Sequence, residues 1–162
     1  MVGKKCKDAS REKRTLCELF DSTKWGMHFD RDELEKIAKY LSLHSYSSGQ
    51  HIFKQGDRQD YMAFIISGKV DILKESADSL EKVVVTLSAG THFGEMAFID
   101  DEPRSASAVA KTDTELLVIS RSNFQKIIEH HPQIAIKMLQ ETARMISRRL
   151  RMTTGQLVYL RN

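Results

Sequence analysis

The sequence predicts a mainly β fold, a sandwich or barrel of short strands with helices before and after it. Three observations predict it. Short runs rich in aromatic and β-branched residues recur between Gln50 and Ile119. They are separated by turns at Gln55-Gly56-Asp57, Ser67-Gly68, Ser88-Ala89-Gly90 and Thr112-Asp113, the spacing of antiparallel β structure. No strand–helix alternation runs through this stretch, so a parallel sheet has no support. On either side of it the apolar period becomes helical.

Taken in order, the first 13 residues are polar and basic and read as a frayed head. Leu16, Leu19 and Phe20 space as a short amphipathic turn of helix. Trp25, Met27 and Phe29 read as anchors packed onto the main domain. Asp30 followed by Glu33 is a helix start of the capping-box kind. Leu34, Ile37, Ala38 and Leu41 then recur at i, i+3, i+4 and i+7. Residues 45–49 are turn-like and are expected to end that helix. Strands follow at Ile52 and Phe53, at 61–66, around Val70, Ile72 and Leu73, at 83–87, at 107–110 and at 116–119, with a break at Asp78 and Ser79. Ser120 or Ser122 can cap a short helix through Phe124, Ile127 and Ile128. His130-His131-Pro132 interrupts it, and Pro132 suits the first turn of a new helix. That helix is expected from about residue 133 to 153 or beyond. Leu139, Ala143, Ile146 and Leu150 form a narrow, coiled-coil-like stripe along it, which Leu157 and Leu160 can prolong.

Composition bounds the function classes. A chain of 162 residues favours one domain with extensions. A formal charge of +3 is too mild to argue for nucleic acid. The basic residues gather at the two ends: Lys4, Lys5, Lys7, Arg11, Lys13 and Arg14 in the head, and Arg144, Arg148, Arg149 and Arg151 near the tail. No apolar run approaches the roughly 20 residues of a membrane helix, and the basic N-terminus lacks the apolar stretch of a secretory signal. Cys6 and Cys17 make no disulfide framework and fit a reducing cytoplasm.

The segment Phe93-Gly94-Glu95-Met96-Ala97-Phe98-Ile99-Asp100-Asp101-Glu102-Pro103-Arg104-Ser105-Ala106-Ser107 carries the chemistry. The glycine lets backbone N–H groups approach a ligand closely. A short helix starting there aims its free donors at an anion. A lone arginine beyond a tight turn can return to pair with a phosphate. The glutamate repels a phosphate but can accept hydrogen bonds from a sugar hydroxyl. Together these describe a site for a sugar phosphate.

These residues resemble the cyclic nucleotide-binding domain family, which includes bacterial catabolite activators, kinase regulatory subunits and gated channels. Phe93 to Phe98 and Pro103 to Ser107 follow the family's phosphate-binding cassette in order. Gly49 through Ile52 leading to Gly56-Asp57, Phe64 to Gly68, and Gly90 are alike as well. The resemblance covers about residues 29–150 and implies a jelly-roll β-sandwich with N-terminal helices and a long C-terminal helix. The implied organisation is an extension over 1–28, a nucleotide-binding sandwich over 29–131, and a dimer and base-capping helix over 132–162. By resemblance, Glu95 holds the ribose 2′-hydroxyl and Arg104 the cyclic phosphate. Phe93, Gly94, Met96, Ala97 and Ala106 surround them, and Ser105 contacts the phosphate, contacts a guanine base, or packs as a small residue. The tail from Met145 to Thr154 is similar to the dimer helix of the activators, where a hydroxyl pair contacts adenine; Thr153 and Thr154 stand at the matching places.

The resemblance implies cyclic AMP as ligand, with cyclic GMP as the alternative. It implies no cofactor, no metal and no catalysis. The expected protein is a cytoplasmic homodimer joined through the C-terminal helix, acting on an unknown effector protein. The activators continue into a helix-turn-helix, for which this sequence has no room before Asn162, so a stand-alone sensor without direct DNA binding is expected, or a piece excised from a longer protein. Three rivals remain: a degenerate member that binds no cyclic nucleotide, a cupin-type jelly-roll metalloenzyme, and a DNA-binding regulator, against which the missing helix-turn-helix argues. For the second, His92 beside Glu95 lacks the further close histidines that cupin chemistry needs. Asp100-Asp101-Glu102 reads as a solvated turn, and the adjacent His130 and His131 point apart on a helix.

Overall fold

A computed structural model describes residues 15–160. The basic head with Cys6 lies outside the described residues, as does the Leu160 side chain. The backbone divides into two compact units, one ending at Gln125 and one beginning at Lys126.

The first unit holds eight antiparallel strands in two sheets. They are β1 (Ser42–Tyr46), β2 (His51–Phe53), β3 (Tyr61–Ser67), β4 (Lys69–Glu75), β5 (Glu81–Ser88), β6 (His92–Phe93), β7 (Ser107–Ala110) and β8 (Thr114–Ser120). One sheet has the order β1-β8-β3-β6 and the other β2-β7-β4-β5. The strand runs are those the sequence pattern predicts, with two additions, β1 and β6. Residues 45–49 do not end a helix. Helix α2 (Arg31–Ala38) closes six residues before them, at its C-cap Lys39, and Ser42 to Tyr46 pair with β8 from Ser42↔Val118 to Tyr46↔Thr114. The sequence Ser-Leu-His-Ser-Tyr has no inward apolar alternation because β1 is an exposed edge strand.

Between the sheets lies one apolar cluster: Ile52, Phe53, Ala63, Ile65, Val70, Phe93, Ala108, Leu116 and Val118. The period of two accounts for it, since alternate residues of β3 and β8 point inward. The intervening residues Met62, Phe64, Leu117 and Ile119 are also buried. A strand apolar on both faces needs a second layer, and the N-terminal segment helps to supply it. Helix α1 (Leu16–Asp21) starts at a Thr15–Glu18 capping box and buries Phe20 edge-on to Phe64, with ring centroids 5.0 Å apart. Trp25 packs on Phe64 at 5.2 Å. Phe29 is buried with them, whereas Met27, expected as a third anchor, is 78% exposed on a 3-10 turn at Gly26–His28. A one-turn helix presents only some of its side chains inward, and Met27 falls on the outer side. The capping box expected at Asp30 and Glu33 is present at the start of α2.

Helix α3 (Glu95–Asp100) interrupts the sandwich between β6 and β7. Helix α4 (Arg121–His130) begins with the Ser120 hydroxyl accepting from the Asn123 N–H, as a capping serine does. The second unit is mainly α5 (Pro132–Leu160), 29 residues long, opened by Pro132 as expected. Leu139, Ile146, Leu150 and Leu157 remain exposed along it.

Candidate functional site

Strand β6 delivers the chain into Gly94, whose φ of 80° is left-handed. An added Cβ there would stand 2.7 Å from Arg104 Nη1 and 3.1 Å from the Tyr61 carbonyl oxygen. Backbone conformation and space therefore both demand glycine. Glu95 opens α3 and is only 4% exposed. A carboxylate is favoured at this positive end of a helix. Ala97 and Phe98 turn inward, and Met96 and Ile99 outward. The helix ends at Asp101, also left-handed at φ 62°, a conformation that Asp tolerates better than most residues. Pro103 then brings the chain back to Arg104.

Arg104 is the centre of the site. It is 3% exposed. Its Nη1 donates to the Gly94 carbonyl at 2.9 Å and its Nη2 to the Tyr61 carbonyl at 2.8 Å. The guanidinium carbon lies 4.0 Å from the centre of the Phe53 ring and 4.5 Å from that of Tyr61, a cation held between aromatic faces. Its backbone is fixed too: the Arg104 N–H donates to the Asp57 carbonyl, and the Gly56 N–H donates to the Arg104 carbonyl. Among the described residues no carboxylate lies within ion-pair distance of the guanidinium, and Nε is buried without a hydrogen-bond partner. Burial pushes its pKa below the ordinary arginine value. Burial also raises the Tyr61 phenol well above its ordinary value, so that ring remains a neutral hydroxyl. A buried cation with donors to spare and no counter-ion is suited to an anionic ligand.

The flank of the site is tied down by short polar contacts. The exposed Ser105 hydroxyl lies 3.8 Å from the Met96 sulfur, and its carbonyl accepts from Lys74 of β4. Ala106 is half-buried. The Ser107 hydroxyl accepts from the Gln55 N–H at 2.9 Å and donates to Glu81 at 3.0 Å. At the far end of α3, Phe98 stacks on Phe124 with centroids 5.1 Å apart, and Asp101 pairs with Arg121. Arg121 is the first residue of α4, where the helix dipole disfavours a cation, so the carboxylate compensates it. Such an exposed pair is worth about 0–1 kcal/mol.

Phe93, Gly94, Glu95, Met96, Ala97, Arg104, Ser105 and Ala106 therefore lie together in the first unit. Thr153 and Thr154 stand exposed on α5 in the second, their hydroxyls donating to the carbonyls of Arg149 and Leu150. Sequence reading missed Phe53 and Tyr61 as parts of the site. They come from different sheets and lie edge to face, centroids 6.2 Å apart, both against Arg104, so no spacing pairs them. The turn at Gly56-Asp57, read as a turn, also grips the Arg104 backbone. His92 is fully buried, and its Nδ1 accepts from Trp25 Nε1 at 3.2 Å. Among the described residues no group of three or more His, Cys, Asp and Glu side chains is placed to hold a metal ion.

Comparison with known proteins agrees with this geometry. A family model described as the cyclic nucleotide-binding domain matches residues 43–131, more than half of the chain. The cyclic AMP receptor protein of Thermus thermophilus is 35% identical over 120 residues, covering 74% of this chain and 54% of that protein. The cAMP-dependent protein kinase regulatory subunit of Aspergillus niger is 36% identical over 96 residues, covering 59% of this chain and 23% of that protein. The chain thus spans about half or less of the length of these relatives. Among solved structures, a cyclic nucleotide-binding domain from Methylobacillus flagellatus superposes with a TM-score of 0.79 at 25% identity, covering 89% of this chain and 81% of that one.

Proposed function

The chain belongs to the cyclic nucleotide-binding domain family, and from that premise we propose that it is a sensor of cyclic AMP that acts by rearranging its C-terminal helix. The family is regulatory rather than enzymatic. The observation that carries the proposal is Arg104, a buried guanidinium with no carboxylate partner and a buried, unpartnered Nε. A cyclic phosphate supplies the missing charge. Glu95, buried at the start of α3, takes the ribose 2′-hydroxyl. The backbone of Gly94, Met96 and Ala97 lines the phosphate, and Ser105 lies beside it at the surface. Thr153 and Thr154 of α5 read the base.

Ligand binding biases two states only by its differential affinity for them. Two contacts support a path outward from the site. The Phe98–Phe124 stack and the Asp101–Arg121 pair both join α3 to α4, the helix that precedes α5. The exposed stripe of Leu139, Ile146, Leu150 and Leu157 supports a homodimer through α5. Thr153 falls in the same stripe, three residues after Leu150 and four before Leu157, so a parallel pair would bring the threonines of both copies together. The output is an effector protein in the cytoplasm.

Titration calorimetry with cyclic AMP, its 2′-deoxy analogue and cyclic GMP tests the reading. Cyclic AMP is expected to bind most tightly. The 2′-deoxy analogue should bind at least about tenfold more weakly, because it leaves the buried Glu95 without its hydroxyl. Heats indistinguishable from dilution for both natural nucleotides would sink the proposal.

A further inference from the structure

Helix α5 carries a second face. At about 100° per residue, Leu139, Ile146, Leu150, Thr153 and Leu157 share one side. Lys137, Arg144, Arg148 and Arg151 fall roughly opposite, at successive spacings of seven, four and three residues. All four cations are exposed. Glu141 lies on the same face, buried and paired with Arg144. Among the described residues Arg148 and Arg151 have no ion pair. The arginine side chains, with the small Ala143 and Ser147, border a shallow depression of about 470 Å³.

We propose that this face docks an acidic helix of a partner protein, whose carboxylates recur at i, i+4 and i+7 opposite Arg144, Arg148 and Arg151. Four features favour that occupant. The cations repeat with the heptad period, so a second helix stays in register with them over several turns. All three matched positions are arginine, whose planar fork takes a carboxylate through two parallel hydrogen bonds. Ala143 and Ser147 leave room for a partner helix to approach within the usual packing distance of about 8–10 Å. Arg148 and Arg151 have no ion pair among the described residues, so both forks are available to such carboxylates. Electrostatic binding to a nucleic acid scales with the number of phosphates neutralised, and this face offers four cations. The proposal concerns α5 alone and does not depend on what occupies the nucleotide site.

The test uses the full chain without nucleotide and two labelled, alanine-rich helical peptides of about 28 residues, four heptads long. In one, glutamates run along a single face at i, i+4 and i+7. In the other, the same residues are scattered around the helix. Fluorescence anisotropy should show the single-face peptide binding at least about tenfold more tightly. The double variant Arg148→Gln and Arg151→Gln should abolish that difference. A control with the same change in net charge, Lys39→Gln and Lys82→Gln in the first unit, should preserve it. Equal affinity for both peptides, or equal loss in both double variants, would reduce the face to unspecific positive charge and overturn the proposal. So would tighter binding of a DNA duplex than of the single-face peptide at about 150 mM salt.

Discussion

At the scale of single residues, the site turns on how one cation is buried. A guanidinium loses its hydration between the sheets, and carbonyl dipoles and aromatic faces replace only part of it. The protein therefore holds a charge that an anion completes. Truncating one partner of a buried charge pair costs on the order of 2–5 kcal/mol. Arg104→Ala is accordingly expected to weaken cyclic AMP binding at least about a hundredfold, as read by calorimetry. Arg104→Lys should recover only a small part of the loss, because an ammonium lacks the fork that reaches both carbonyls and a phosphate. A near-native affinity for the alanine variant would remove Arg104 from the site. The residues of this segment were legible in the sequence because they are contiguous and each has a local reason: a glycine at a left-handed turn, a carboxylate at a helix start, an arginine after a proline. Phe53 and Tyr61 were not, because their role exists only once two sheets have closed over the arginine.

At the scale of elements, legibility followed locality. Helix α2 announces itself through a capping box whose partners are three residues apart, and α1 through the spacing of Leu16, Leu19 and Phe20. Strands β3 and β8 announce themselves through apolar runs. Strand β1 has no such signal, since its register comes from β8, some seventy residues away in sequence. Strand β6 is two residues long and exists only as a partner of β3. The N-terminal helix is a layer of the core. Phe20 is fully buried, with its ring edge against Phe64. Phe20→Ala should thus cost about 3–5 kcal/mol, the usual range for a large aromatic removed from a core. Urea denaturation of the variant checks this: a midpoint within error of the parent would show that α1 is dispensable.

At the scale of the whole molecule, α5 is about 43 Å long, 29 residues at 1.5 Å each. The apolar stripe on α5 is polar only at Thr153, and its leucines and isoleucine face solvent in the single chain. Ile146→Glu together with Leu150→Glu would set like charges facing each other in a paired seam. Light scattering is expected to show a dimer for the parent and a monomer for this variant, with far-ultraviolet circular dichroism unchanged. A parent protein that scatters as a monomer at high micromolar concentration would refute the seam. The hydrogen bond from Trp25 to His92 has a use in such experiments. Trp25 is the only tryptophan of the chain, and its indole is anchored to the residue two positions before Gly94. The molecule thus carries a native optical probe anchored two residues from the turn at Gly94: one buried indole whose emission can be followed as nucleotide is added, without any label.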